Sequence, residues 1–279
     1  MGSPTQESFP VLVPVQEVWK DGAWTENFQV FDYARLGLEF LAGHLPGAVH
    51  VEKSLVWNEV DGVAGMVPAA SQLAGLLGAA GFDPTRPALV YDGGNALYAS
   101  RLAWALAVAG WSRVVLLEGG LNAWKKAGFP VVLGGGPQLA PTSVEVRWRS
   151  ELYATVSEVK DRPESTVLLD TRTPEEFVGK DRRSKRAGRI PGALAWEWKK
   201  ALKEDGLSFR SADDLAAEFR LLGIGPDTEV ITYCQSGVRA AHALFALRRA
   251  GVAKSRNYDG SWEEWGNRAD LPLETGDPA

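Results

Sequence analysis

The sequence predicts an α/β protein of two similar domains, each a parallel sheet flanked by helices on both faces. Three observations carry that prediction. The chain repeats itself: G-H-L-P-G-A-V-H-V-E (43–52) returns as G-R-I-P-G-A-L-A-W-E (188–197), A-A-G-F-D-P-T-R-P-A-L-V-Y-D (79–92) as L-L-G-I-G-P-D-T-E-V-I-T-Y-C (221–234), and E-G-G-L-N-A-W (118–124) as D-G-S-W-E-E-W (259–265). The blocks keep their order at offsets of 145, 142 and 141, which marks one unit present twice. Within each copy, short apolar runs alternate with helical patterns, as parallel strands joined by helices require. Finally, 45% of the 279 residues are hydrophobic and 23% charged, a balance that builds cores without disulfides or metals.

The elements follow in order. Residues 9–133 form the first copy, 134–150 a linker and 151–279 the second copy. The stretch L-G-G-G-P-Q-L-A-P-T-S (133–143) has the Gly/Pro content of a connection. In the second copy V-L-L-D (167–170) reads as a strand, and T-P-E-E-F (173–177) as a helix start. E-V-I-T-Y (229–233) is the next strand, and V-R-A-A-H-A-L-F-A-L-R-R-A-G (238–251) the helix after it. Leu244, Phe245 and Leu247 give that helix an apolar face, Arg248 and Arg249 suit its C-terminal dipole, and Gly251 is a natural stop.

Charge and cysteine usage narrow the function. The net charge is −5 and the pI about 5.4, so no nucleic-acid partner is expected. The start, MGSPTQESFP, lacks a basic n-region and an apolar h-region, and no run of 18 uncharged apolar residues occurs; no signal peptide and no membrane partner are expected. Cys234 is the single cysteine. It rules out an internal disulfide and any Cys-rich metal site, and it points to a reducing, cytoplasmic setting. No P-loop or HExxH occurs, G-L-L-G-A-A-G (75–81) is not a dinucleotide fingerprint, and no metal is expected.

The chemistry concentrates in Y-C-Q-S-G-V-R-A-A-H (233–242). Cys234 ends a buried strand and precedes a helix, the place where open α/β sheets bind ligands. A loop turning from strand to helix N-terminus directs backbone N–H groups inward and attracts anions. The candidates on it are Gln235, Ser236, Gly237, Val238 and Arg239. Gly237 lets the backbone close around a bound group, and Arg239 brings a permanent positive charge. A cysteine in that setting is expected to be largely thiolate, with the same N–H groups holding charge on whatever bonds to it. Cysteine phosphatases need Cys-x5-Arg; the Cys-x4-Arg spacing here gives a smaller ring that suits one sulfur atom. The basic run 179–189 reads either as a solvated loop or as an anion funnel. Trp262 and Trp265 read as core, and His242 as structural.

With these motifs in hand, the sequence resembles the rhodanese family, specifically its tandem-domain thiosulfate and 3-mercaptopyruvate sulfurtransferases. C-Q-S-G-V-R-A resembles their active loop, G-R-I-P-G-A and G-H-L-P-G-A their Gly-His-Ile-Pro-Gly-Ala block, and L-L-D-T-R-T-P-E-E-F (168–177) and Y-D-G-S-W-E-E-W (258–265) the opening and closing signatures of the second domain. The resemblance covers about residues 9–275. It implies two rhodanese domains, a Cys234 persulfide and no cofactor. The implied partners are a small anionic sulfur donor and a thiophilic acceptor, cyanide or a thiol, with the chain acting as a monomer. Arg172, Arg186 and Arg189 join the loop as candidate donor-binding residues, with Asp170 and Arg172 also placed to brace it. Asp92 stands where Cys234 stands, in a segment one residue longer, which marks the first domain as silent. Arg189 replaces the block's usual His, and Glu176 stands where related enzymes often carry a donor-binding arginine. The loop departs from the C-G-S-G-V-T-A type of the mercaptopyruvate enzymes, which favours thiosulfate as the donor; a mercaptopyruvate enzyme and a persulfide carrier are the alternatives.

Overall fold

Buried four-residue strands dictate the architecture. Ala88–Tyr91 and Val230–Tyr233 have every residue buried, so each needs a neighbour on both edges and cover on both faces. A computed structural model describes residues 9–33 and 36–277; the expectation for the first eight residues, and the last two of the second domain, lie outside the described residues. Two sheets of five parallel strands result. The first contains β1 (Val11–Pro14), β2 (Gln29–Tyr33), β3 (Ala48–Val51), β4 (Ala88–Tyr91) and β5 (Val114–Glu118), in the order β1-β5-β4-β2-β3. The second contains β6 (Tyr153–Ala154), β7 (Val167–Asp170), β8 (Leu194–Ala195), β9 (Val230–Tyr233) and β10 (Ser255–Tyr258), in the order β6-β10-β9-β7-β8. The repeat read from the sequence is thus a repeat of topology.

Helices close the faces. In the first unit these include α1 (Ala70–Ala79), α2 (Leu97–Val108) and α3 (Gly120–Lys126). In the second they include α4 (Pro174–Val178), α5 (Ala212–Leu221), α6 (Val238–Arg249) and α7 (Ser261–Trp265). The α6 sequence is rich in alanine, and Ala240 through Leu247 are all buried; small residues let the helix lie close on the sheet. Gly251 takes φ +87 just past its end, the left-handed stop foreseen for it. Trp262 and Trp265, each 1% exposed, lie in the second core with Leu168, Ile231 and Tyr258.

The compact units do not follow chain order. Of the described residues, the first comprises those from 9 to 56, 68–149 and 205–208; the second comprises 57–67, 150–204 and 209–277. Most of the stretch read as a linker belongs to the first unit, where Thr142 N–H donates to Gly78 O (2.9 Å) and Arg147 N–H to Ala109 O (2.9 Å). The hairpin of Asn58–Val60 and Val63–Met66 belongs to the second, fastened there by Val67 N–H on Asp259 Oδ2 at 2.7 Å. No described helix is long and apolar enough to cross a membrane.

Candidate active site

Cys234 leaves the carboxyl end of β9 with its thiol free and only 1% exposed. Gly237, at φ +73, turns the chain into α6. Such a turn strands backbone groups, and the neighbouring element takes up some of them. Ser261 Oγ accepts from Cys234 N–H and from Gly237 N–H, both at 3.1 Å, while donating to Tyr258 O at 2.8 Å. Cys234 O accepts from Trp262 N–H (2.9 Å) and Gln235 O from Glu263 N–H (2.8 Å). Asn257 Nδ2 donates to Gly237 O at 3.0 Å, and Gln235 Nε2 to Ser184 Oγ (3.0 Å) and Glu263 Oε2 (2.9 Å). The N–H groups of Gln235, Ser236, Val238 and Arg239 have no acceptor among the described residues. These are the groups left for an anion, one fewer than the sequence suggested, because Gly237 is taken.

The charged side chains sort into two sets. Arg239 donates to both oxygens of Glu176, Nη1 to Oε2 at 2.5 Å and Nη2 to Oε1 at 2.9 Å. Glu176 arrives there through a capping box: Thr173 caps α4, Pro174 opens it, and the Glu176 carboxylate returns to Thr173 N–H at 3.1 Å. Arg183 Nε lies 3.6 Å from the same carboxylate. Burial alone would raise the Glu176 pKa, but the Arg239 hydrogen bonds and charge reverse this and hold it at about 2. Arg239 is itself pushed above its ordinary range: its burial is outweighed by the Glu176 bonds and by the fields of Cys234 and Glu176.

The second set braces the fold. Arg172 binds Asp170 (2.6 Å) and Gly188 O (2.7 Å), both side chains of the ion pair being 1% exposed, and stacks over Trp262 at 4.6 Å. Tyr233 Oη donates to the same Asp170 at 2.5 Å. Arg186 donates to the carbonyls of Trp265 and Leu271, each at 2.7 Å. Arg189 binds Glu274 (3.1 Å) and Gly276 O (2.7 Å) and lies over the Phe177 ring. The guanidinium groups of Arg172, Arg186 and Arg189, named above as donor-binding candidates, are thus engaged by protein acceptors. His242 is fully buried, stacked on Phe209 at 4.5 Å with the Trp198 ring edge-on at 5.1 Å.

The first unit holds the same loop with its anion built in. Asp92 follows β4 directly as Cys234 follows β9, and α2 begins one residue later than α6 does. Asp92 Oδ1 accepts from Gly94 N–H (2.9 Å) and Ala96 N–H (3.1 Å), and Oδ2 from Tyr98 N–H (3.0 Å) and Ala99 N–H (3.1 Å). The Asp92 side chain therefore takes up the N–H groups of its own loop. Gly120 stands where Ser261 stands, and both have φ near +50, but a Cβ at Gly120 would come 2.3 Å from Asp92 O.

Sequence reasoning missed three features. Ser261 was visible as the one hydroxyl in D-G-S-W-E-E-W facing a glycine in E-G-G-L-N-A-W. The Glu176 pairing was foreshadowed by the Thr173-x-x-Glu176 box. The approach of Gly65 to the loop carried no signal: at φ +88, its added Cβ would lie 3.0 Å from Ser236 Cβ and 2.3 Å from Trp57 Nε1.

Comparison with known proteins supplies the context. The family model described as Rhodanese-like domain matches residues 16–127 and 155–268. The chain is 31% identical over 241 residues to a thiosulfate sulfurtransferase of Azotobacter vinelandii, covering 84% of this chain and 87% of the relative. It is 32% identical over 241 residues to a 3-mercaptopyruvate sulfurtransferase of Escherichia coli K12, covering 85% of each. It is 30% identical over 252 residues to the sulfur carrier protein TtuD of Thermus thermophilus, covering 84% of this chain and 86% of the relative. Among solved structures, the crystal structure of YnjE superposes with a TM-score of 0.81 at 26% identity, covering 91% of this chain; this chain spans 64% of that one. A complex of EanB with hercynine matches with a TM-score of 0.83 at 24% identity, covering 96% of this chain and 70% of that one, a likeness of fold.

Proposed function

This chain belongs to the rhodanese family as a sulfurtransferase of two rhodanese domains, and from that premise we propose that Cys234 carries sulfur as a persulfide from a small donor to a thiophilic acceptor. The Cys234 thiolate attacks the outer sulfur of thiosulfate, the donor's S–S bond breaks, and sulfite leaves with its electron pair. The persulfide stays in the loop, facing the unengaged N–H groups of Gln235, Ser236, Val238 and Arg239. A thiolate or cyanide then attacks the outer sulfur, and Cys234 is released as thiolate. The observation that carries this reading is the single buried thiol beside a loop in which the N–H groups of Gln235, Ser236, Val238 and Arg239 have no acceptor among the described residues.

The loop sequence favours thiosulfate as donor, because C-Q-S-G-V-R-A departs from the C-G-S-G-V-T-A type of the mercaptopyruvate enzymes. A second reading, 3-mercaptopyruvate, is favoured by one feature: the Arg239 charge is already matched by Glu176. In that case the donor's C–S bond breaks and pyruvate leaves, its methyl carbon taking up the thiol proton. Steady-state rates with both donors, side by side, decide between them. Sulfur uptake from small donors in wild type and none in Cys234→Ser is expected; turnover surviving in Cys234→Ser refutes the assignment. Persulfide loading only from a partner protein would instead make the chain a carrier. Aryl phosphates should be hydrolysed negligibly; a phosphatase rate comparable to sulfur transfer would overturn the ring-size argument.

A further inference from the structure

The charge felt at Cys234 does not follow the number of basic residues in the sequence around it. Arg172, Arg186 and Arg189 are held by internal acceptors. Arg239 is the cation carried by the loop itself, and its field reaches Cys234. Yet both of its terminal nitrogens rest on the two oxygens of Glu176, at 2.5 and 2.9 Å. The Glu176 side chain is 1% exposed and that of Arg239 14%, so water screens the pair little. The carboxylate is also fixed by Thr173 N–H at 3.1 Å and cannot swing away without opening the start of α4. Arg183, half exposed, leans toward the same carboxylate at 3.6 Å.

We propose that Glu176 is a donor-selectivity residue: by holding Arg239 in a bidentate ion pair, it removes a positive charge from the rim of Cys234 and favours sulfur donors with one negative charge over donors with two. The inference rests on the persulfide reading above. A donor has to approach a thiolate, which is itself negative. Every unit of donor charge is repelled by that thiolate, and the attraction of Arg239 is offset by a carboxylate at almost the same place. A dianion meets the uncompensated repulsion twice over and a monoanion once. What the pair leaves for a donor is hydrogen bonding, from the loop N–H groups and the remaining guanidinium N–H bonds, which does not require a second charge. Glu176 acts through Arg239 and is a positioning residue.

Two donors with the same reacting sulfur and different charge test this: thiosulfate, a dianion, and methanethiosulfonate, a monoanion. In each, the thiolate attacks the outer sulfur, the S–S bond breaks, and sulfite or methanesulfinate leaves, with total charge unchanged. The readout is the second-order rate constant of persulfide formation on the full-length chain. Glu176→Gln should raise the ratio of thiosulfate to methanethiosulfonate constants about tenfold, the scale of one partly screened charge interaction. Glu176→Asp, which keeps the charge while loosening the geometry, should stay within about twofold of wild type. A ratio unmoved by Gln, or moved as far by Asp, overturns the proposal. Wild type supplies a check that needs no variant: if the rim repels dianions, added salt speeds loading from thiosulfate more than from methanethiosulfonate. Salt that slows thiosulfate the more reveals an attractive rim and overturns the proposal too. If wild type takes sulfur from neither donor, the persulfide reading has failed, not this one.

Discussion

Ser261 and Glu176 show how much one side chain decides here. Ser261 Oγ is the acceptor for two buried loop N–H groups, at 3.1 Å each. Removing it strands both donors, and each buried unpaired donor costs about 1–3 kcal/mol. Ser261→Ala should therefore lower stability to denaturant by ~2 kcal/mol or more and slow persulfide formation; a variant equal to wild type in both would show that the loop holds its shape without the hydroxyl. Glu176 makes a pH prediction. Its pKa falls from an ordinary 4.5 to about 2 in the folded chain, so the unfolded chain binds more protons between those values. Its stabilisation is complete above pH 4.5 and is lost as pH falls toward 2. Wild type should exceed Glu176→Gln in stability at neutral pH, and the gap should close across that window. A gap that stays constant through it would contradict the ion pair. The sequence displayed Cys234 and its nest at this scale because a strand, a cysteine, a glycine and an arginine are contiguous. It left the partners of Arg172, Arg186, Arg189 and Arg239 unread, because ion pairs join residues that no spacing rule connects.

At the scale of elements, the two strand-to-helix loops are one design with different occupants. In the second unit the loop leaves backbone donors open beside a thiol; in the first, Asp92 satisfies four of them itself. Asp92→Ala should destabilise the chain by on the order of 2 kcal/mol, since four N–H groups lose their acceptor together, while burial, which raises the Asp92 pKa, offsets part of what those bonds contribute. Asp92→Cys in a Cys234→Ser background should give no measurable turnover, because Tyr98 stands on α2 where Arg239 stands on α6 and the longer loop is built around a carboxylate. Turnover there would show the first loop to be a working nest once a thiol is supplied. The strands and α6 were legible because their periodicity and stop signals are local. Ser261 at φ +51 was not, since a left-handed serine is chosen by its hydrogen bonds rather than by its propensity.

Across the whole molecule, the internal repeat disclosed both sheets, and the matched blocks landed at matching places in the two topologies. The exchange of residues 57–67 into the second unit was not legible, since a hairpin's pattern encodes its turn and its faces but not the domain it packs on. That exchange has a consequence for activity. Gly65→Ala should reduce sulfur transfer about tenfold by pressing on Trp57 and Ser236, whereas Gly62→Ala, equally left-handed at φ +78 but with nothing within 4 Å, should affect stability alone. Equal losses in both would leave only backbone strain. Whether sulfur travels on Cys234 is read from the intact mass of the chain after incubation with thiosulfate or 3-mercaptopyruvate and removal of the donor. Wild type should gain one sulfur atom, discharged by cyanide, and Cys234→Ser should gain none. A gain that persists in Cys234→Ser, or cyanide-sensitive sulfur transfer by wild type with no added mass, would contradict transfer through Cys234.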